Sequence, residues 1–395
     1  MAGRRRVSGS SATAVCLLLA SLTACGGPAP TDTARHQVQR LLDRRAAAVL
    51  HHDPAAFAAT GVRAPYPNLA AVPLAAWSYR VTALRRSGGT AGADVDLSYR
   101  LTGYDTAPVT VARTLTLSTG ADGAWRVDSE RPAPRAAQQL WDQGPVAVVR
   151  GAHSIVLGVG QSTGSLRAYA GLADRAVPAV SRAWGGDWSG RVVVLVPGSL
   201  DRMAALLGST AAEYRGIAAV TTGETGGGRT PADRIIVNPD AYGVLGPLGK
   251  QVVLTHETTH VATRAHTGAA TPLWLSEGYA DWAGYRGAGR TPDEVAPELQ
   301  RAVAAGRAPT ALPADADFGF AGDATRLAQA YEGGWLACRM IAAHWGEDRL
   351  DAFYRAVGTH PRRAGAVEDA LRTVLHTTLP EFTARWREYL RAQLG

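Results

Sequence analysis

The sequence predicts an α+β protein in two structural units, and three observations carry that reading. Near the N-terminus one stretch of helical periodicity precedes four runs that alternate apolar and polar residues. After a proline- and alanine-rich stretch, short apolar runs interleave with helical ones. From Val252 onward the pattern is almost entirely helical. A helix with an antiparallel meander makes a small α+β module, and the later run of strands and helices makes a mixed sheet with a helical C-terminal part.

The first 24 residues read as a signal peptide: a basic "GRRRV", an apolar "AVCLLLASL" too short to span a bilayer, then "LTAC". "LTAC" resembles a bacterial lipobox. That resemblance implies cleavage behind Ala24, lipidation of Cys25, and residues 25–31 as a tether holding the protein to the extracytoplasmic face of the cell membrane. The alternative is a plain signal cleaved near Ala24 that leaves Cys25 free.

Residues 32–130 form the first unit. "DTARHQVQRLLDRRAAAVL" places Val38, Leu41 and Leu42 on one side of a helix. The strands "WSYRVTALRR", "DVDLSYRLTGY", "VTVARTLTLST" and "AWRVDSE" follow, with turns at Gly88-Gly89, Tyr104-Asp105 and Asp122-Gly123. A helix leading into such a meander resembles the cone-shaped cystatin-like and nuclear-transport-factor-like modules. Residues 131–145, rich in proline and alanine, mark the junction.

Residues 146–395 form the second unit. "VAVVRGAHSIVLG" reads as a hairpin, "SLRAYAGLADRAVPAVSRAWG" as a helix, "RVVVLVP" as a buried strand and "SLDRMAALLG" as a helix. "GIAAVTT" and "RIIVNP" are two further short strands, the latter expected to border a cleft and to pair with an extended substrate. Between them the glycine-rich residues 221–231 lack the lysine of a phosphate-binding loop, and are expected to form a mobile loop at the lip of the cleft.

Composition narrows the function. Hydrophobic residues make up 46% and charged residues 19% of 395, which suits sizeable cores. The net charge of +7 falls to +4 without Arg4, Arg5 and Arg6, and no arginine run interleaved with aromatics follows, so nucleic acid is not an expected partner. Of the three cysteines, Cys16 leaves with the signal and Cys25 is the lipidation site, so Cys338 has no disulfide partner and is expected in the core.

The chemistry lies in "VVLTHETTHVAT", residues 252–263. On a helix His256 and His260 stand about 400° apart, so both imidazoles leave one face, one turn apart, and can converge on one ion. Zinc suits two imidazole nitrogens, and Glu257, about 100° round the helix, sits where a general base belongs. The helix is expected to run toward a glycine cap at Gly268, with His266 a solvated cation near its C-terminus. "TPLWLSEGYADW" then supplies Glu277 and Asp281 one turn apart: a third ligand, and a hydrogen-bond partner for the outer nitrogen of a ligand histidine. His153, His344, His360 and His376 have no ligand spacing.

"HETTH", with the glutamate of "WLSEGYADW" seventeen residues later, resembles the gluzincin metallopeptidases, the clan of thermolysin and aminopeptidase N. The resemblance implies a zincin-like domain with Zn²⁺ bound by His256, His260 and Glu277, Glu257 as general base, and Asp281 behind His256. It also implies that Tyr331, in "AYEGGWLACRMIA", hydrogen-bonds the tetrahedral intermediate, and that the substrate is a peptide or protein. The chain departs from the aminopeptidase pattern at "GIAAV", where no carboxylate stands to hold a substrate amine, which favours an endopeptidase. Gly333 and Gly334 in that helix imply close packing. Two other readings stay open: a catalytically idle lipoprotein that binds or senses, and a zinc hydrolase of a non-peptide substrate.

Overall fold

The computed structural model describes residues 30–222, 232–319 and 323–395. The signal segment, Cys25, most of the tether and all but the first two residues of the glycine-rich loop lie outside these. The chain is α+β, with an antiparallel sheet, a mixed sheet and a helical C-terminal part.

Helix α1 (Pro30–Leu50) buries Val38, Leu41 and Leu42 against an antiparallel meander of β1 (Leu74–Ser87), β2 (Thr90–Leu101), β3 (Val109–Thr119) and β4 (Trp125–Pro132), paired in chain order. Strict alternation in β2 puts Ala93, Val95, Leu97 and Tyr99 inward. The module also buries charge. The Arg45 guanidinium donates to Glu130 (3.3 Å), Thr60 (3.0 Å) and the carbonyls of Val62 and Ala64, while Arg113 holds Asp142 through two bonds of 2.8 Å. Residues 133–146 are built into the same core: Trp141 packs on Trp77 and Tyr99, with ring centroids 5.4 and 4.9 Å away.

The mixed sheet has the order β5 (Ala147–Arg150), β6 (Ser154–Gly158), β7 (Val192–Val196), β9 (Ile235–Val237), β8 (Ala219–Thr221). β6, β7 and β9 run parallel, with β5 and β8 antiparallel at the two edges. Both faces are covered, which is why β7, "VVVLV", is apolar throughout. Ile155, Leu157, Val193, Val220 and Ile236 join the core of the N-terminal module. Val156, Val192, Val194, Ala219, Ile235 and Val237 face α2 (Thr163–Trp184) and Leu254. Helix α3 (Leu200–Leu207) closes the module side through Met203.

The expectation for residues 234–239 is corrected here. β9 is an inner strand, bonded to β7 on one side and β8 on the other, so its backbone has no edge to offer a substrate. The outer strand is β8, which sits against the helix carrying the histidines.

The remaining chain is helical: α4 (Pro247–Thr263), α5 (Leu273–Tyr285), α6 (Pro297–Ala304), α7 (Ala324–Trp345), α8 (Glu347–Gly358) and α9 (Leu379–Leu394), packed round Trp274, Tyr279, Cys338, Phe353 and Trp386. Cys338 is fully buried, and burial pushes its thiol well above the ordinary range. Among the described residues no helix is long and apolar enough to cross a membrane. α4 ends at Thr263, short of Gly268, and a single 3-10 turn follows at Arg264–His266. His266 is not a solvated cation. Its Nε2 accepts from Arg355 at 2.7 Å, its ring meets Trp184, and burial together with the Arg355 charge lowers its pKa.

One buried ion pair ties the two sheets together. Arg234, just before β9, donates to both oxygens of Asp105, in the β2–β3 turn, at 2.8 and 2.7 Å. The carbonyl of the same arginine accepts the backbone N–H of Thr222, just after β8, and its own N–H donates to the Thr222 hydroxyl. Asp105→Asn leaves a buried guanidinium without its counter-charge and should cost about 3–5 kcal/mol. Urea unfolding measures this; a loss under about 1 kcal/mol would show the pair to be dispensable.

Candidate metal centre

Helix α4 is unusual in being buried on most sides while rich in threonine. Thr255, Thr258 and Thr259 return their hydroxyls to the carbonyls four residues back, at 2.6–2.8 Å, so no hydroxyl is stranded in the core. α4 lies between α2 and α5, with β8 alongside, which turns the His256 and His260 face toward α5.

Helix α5 approaches through glycine. A Cβ on Gly278 would stand 2.3 Å from the Gly334 backbone of α7, and one on Gly334 would stand 2.6 Å from the Trp274 carbonyl oxygen. Gly278 and Gly334 let these backbones meet, while a Cβ on the adjacent Gly333 would stand 3.1 Å from the Pro313 ring. Near the other end of α5, a Cβ on Gly284 would stand 3.2 Å from the Val252 carbonyl oxygen of α4. Glu277 is therefore carried into the gap between α4 and α7.

The result is a cluster of three donor atoms. His256 Nε2 and His260 Nε2 are 3.0 Å apart, and Glu277 Oε2 lies 3.3 Å from the first and 3.5 Å from the second. Ligand atoms about 2.0–2.1 Å from one ion at tetrahedral angles are about 3.3–3.4 Å from each other, so the three fit the edges of a zinc coordination tetrahedron. His256 Nδ1 lies 2.8 Å from Asp281 Oδ1; as donor there, it leaves the Nε2 lone pair directed at the other two groups. Burial works against a charged His256, but Asp281 and Glu277 outweigh it and raise its pKa well above the ordinary value. Burial alone would also raise Glu277, yet His260 and His256 hold it far below the usual carboxylate range. Two nitrogens and a carboxylate, all three at least half-buried, form a donor set for a divalent ion of zinc type.

Glu257 is buried beside this cluster without being part of it. The Thr221 hydroxyl at the end of β8 donates to Glu257 Oε2 at 2.7 Å and approaches its backbone carbonyl at 3.1 Å. This partner was not foreseen, because a contact across 36 residues leaves no local pattern. Tyr331 lies on the cleft wall, its ring edge-on to Phe318 at 5.2 Å. Its neighbour Glu332, also unforeseen, caps α6: its two oxygens accept the backbone N–H groups of Glu298 (3.1 Å) and Leu299 (2.6 Å), while burial pushes its pKa up to about 7. The cleft itself holds about 670 Å³ and is lined by His256, Glu257, Asp281 and Tyr331, by Gly216–Ala219 leading into β8, and by α7. The structure thus brings His256, His260, Glu277, Asp281, Glu257 and Tyr331 to one place.

No family model matches the chain, and no curated protein does. Among solved structures it is similar to a crystal structure of a two-domain M1 zinc metallopeptidase mutant bound to L-arginine, with 13% identity and a TM-score of 0.37. The match covers 80% of this chain and 62% of that one, so the chain spans less than two thirds of that structure's length.

Glu277→Ala removes the only anion of the donor set and should let zinc be lost on dialysis where the wild type retains it. Elemental analysis showing equal zinc in the two proteins would take Glu277 out of the set.

Proposed function

We propose that the chain is a zinc-dependent peptidase, of gluzincin type and acting within peptide chains, held to the extracytoplasmic face of the cell membrane by a lipid on Cys25. The observation that carries the catalytic part is the spacing of 3.0, 3.3 and 3.5 Å among His256, His260 and Glu277, with a buried carboxylate, Glu257, next to them. The lipid anchor rests on the lipobox-like "LTAC".

His256, His260 and Glu277 would hold the zinc ion, with Asp281 fixing His256. Bound there, zinc supplies a Lewis acid that activates water and polarises the scissile carbonyl. Glu257 takes the proton of the attacking water and delivers it to the departing amine. Thr221 orients that carboxylate by donating to one of its oxygens. Tyr331 donates its phenolic hydrogen to the oxygen that becomes negative as the carbonyl turns tetrahedral.

Action within a chain is supported by the cleft's strand side. Gly216–Ala219 line it without a carboxylate, and β8 is the outermost strand of its sheet, so an extended peptide can lie along the cleft as an added strand. Glu213 is the carboxylate on that side. It is exposed, and it accepts from the Thr210 hydroxyl at 2.9 Å.

Glu257→Gln keeps the shape and should keep the zinc while abolishing chelator-sensitive cleavage of casein. Full activity in that variant would remove the base. Tyr331→Phe should lower kcat by about 10²–10³, the usual effect of losing an oxyanion donor. An unchanged kcat would make the phenol a wall residue only.

A further inference from the structure

The carboxylate read as the base is held by a strand with little hold of its own. β8 has three residues, Ala219–Thr221, and as the outermost strand it pairs on one side only, with β9. Its last residue, Thr221, is fully buried and donates its hydroxyl to Glu257 Oε2 at 2.7 Å. The residue after it is gripped from two directions. The Thr222 N–H donates to the Arg234 carbonyl at 2.8 Å, and the Arg234 N–H donates to the Thr222 hydroxyl at 2.9 Å. From the other side the Thr222 carbonyl accepts from Arg264, just beyond α4, at 2.8 Å. Arg234 is in turn fixed by the N-terminal module. Its guanidinium meets both oxygens of Asp105, and Asp105 Oδ2 also accepts the Leu101 N–H at 2.7 Å, which locks it to the end of β2.

A two-pronged pair of carboxylate and guanidinium fixes direction as well as distance, and this one is buried at both ends. Apolar side chains of similar volume can join two sheets without loss of stability; what the ion pair adds is a defined direction. A hydroxyl contact of 2.7 Å does not survive a shift of about 1 Å, and a displacement of that size at a reacting group costs about 10²-fold in rate. We propose that Asp105 is a positioning residue for Glu257, acting through Arg234, Thr222 and Thr221, so that the N-terminal module serves turnover as well as folding. The assignment rests on the peptidase reading, in which Glu257 is the base.

The test is a double-mutant cycle on the full mature protein loaded with zinc, with kcat and KM read on an internally quenched peptide that the wild type cuts. Thr221→Val keeps the shape and removes the hydroxyl. It should lower kcat about 10–100-fold with KM within about twofold and zinc retained, and Thr221→Ser should recover most of that loss. Asp105→Asn should lower kcat at least about tenfold in the wild-type background but less than about threefold on top of Thr221→Val, because the contact it controls is already gone. Where Asp105→Asn does not fold, Arg234→Lys takes its place in the cycle, since lysine keeps the charge and loses the two-pronged grip. Equal losses of kcat in both backgrounds, or no loss in either, overturn the positioning role and leave the peptidase standing. Where the wild type cuts no peptide, the crystal structure of Arg234→Lys decides. A Glu257 carboxylate turned away from Thr221 keeps the positioning and drops peptide hydrolysis, and an unmoved one overturns both.

Discussion

The contact on which the site depends is one between two helix backbones. At Gly278 and Gly334, α5 and α7 come so close that a single methyl group on either would run into main-chain atoms. Helices that meet through side chains keep their axes 8–10 Å apart, and glycine at the crossing permits less. A carboxylate has a short reach, so an ångström of extra separation would withdraw Glu277 Oε2 from the two imidazoles it now faces at 3.3 and 3.5 Å. The same crossing fixes Tyr331 and Glu332, which precede the Gly333-Gly334 pair on α7. Gly334, which weakens α7 as an isolated helix, is what lets α5 bring Glu277 to the cluster.

Such an assembly buries polar groups that would be ruinous if left unpaired, and the structure shows how each is paired. The threonines of α4 return their hydroxyls to their own helix, Glu332 takes two N–H groups of α6, and Thr221 takes Glu257. Asp281 and Glu277 bracket His256 with negative charge. What is left is a small region whose summed groups favour a positive charge where three donor atoms converge. The cleft beside it is lined largely by apolar side chains, among them Val253, Val295, Leu327 and Trp335.

Much of this was legible in the sequence, for identifiable reasons. The four-residue spacing of His256 and His260 fixes a shared helix face whatever the tertiary structure, and period-two alternation in β2 fixes which of its residues turn inward. The Gly333-Gly334 pair likewise signals a close approach. The unread features are pairings between distant segments. Thr221 meets Glu257, and Asp105 meets Arg234 across 129 residues, with no periodicity to announce either. Strand order is hidden in the same way: "GIAAVTT" and "RIIVNP" are both short and apolar, and only the sheet determines which is inner and which is outer. His266 was misread because a helix end is a favourable place for a cation only when water, and not Arg355, surrounds it.

These distant pairings also explain why the N-terminal module cannot be regarded as a separate appendage. Ile155, Leu157, Val193, Val220 and Ile236 of the mixed sheet share one apolar core with the meander and with Met203 of α3. At the end of that sheet, Asp105 grips Arg234, Arg234 is bonded to Thr222, and Arg264 at the end of α4 donates to the Thr222 carbonyl at 2.8 Å and to Asp233 at 3.0 Å. Thr221 is the next residue. The hydroxyl that donates to Glu257 is thus held from below by the module and from above by the helix that carries the histidines, and the positions of the Glu257 carboxylate and of the donor atoms are set by the same few bonds.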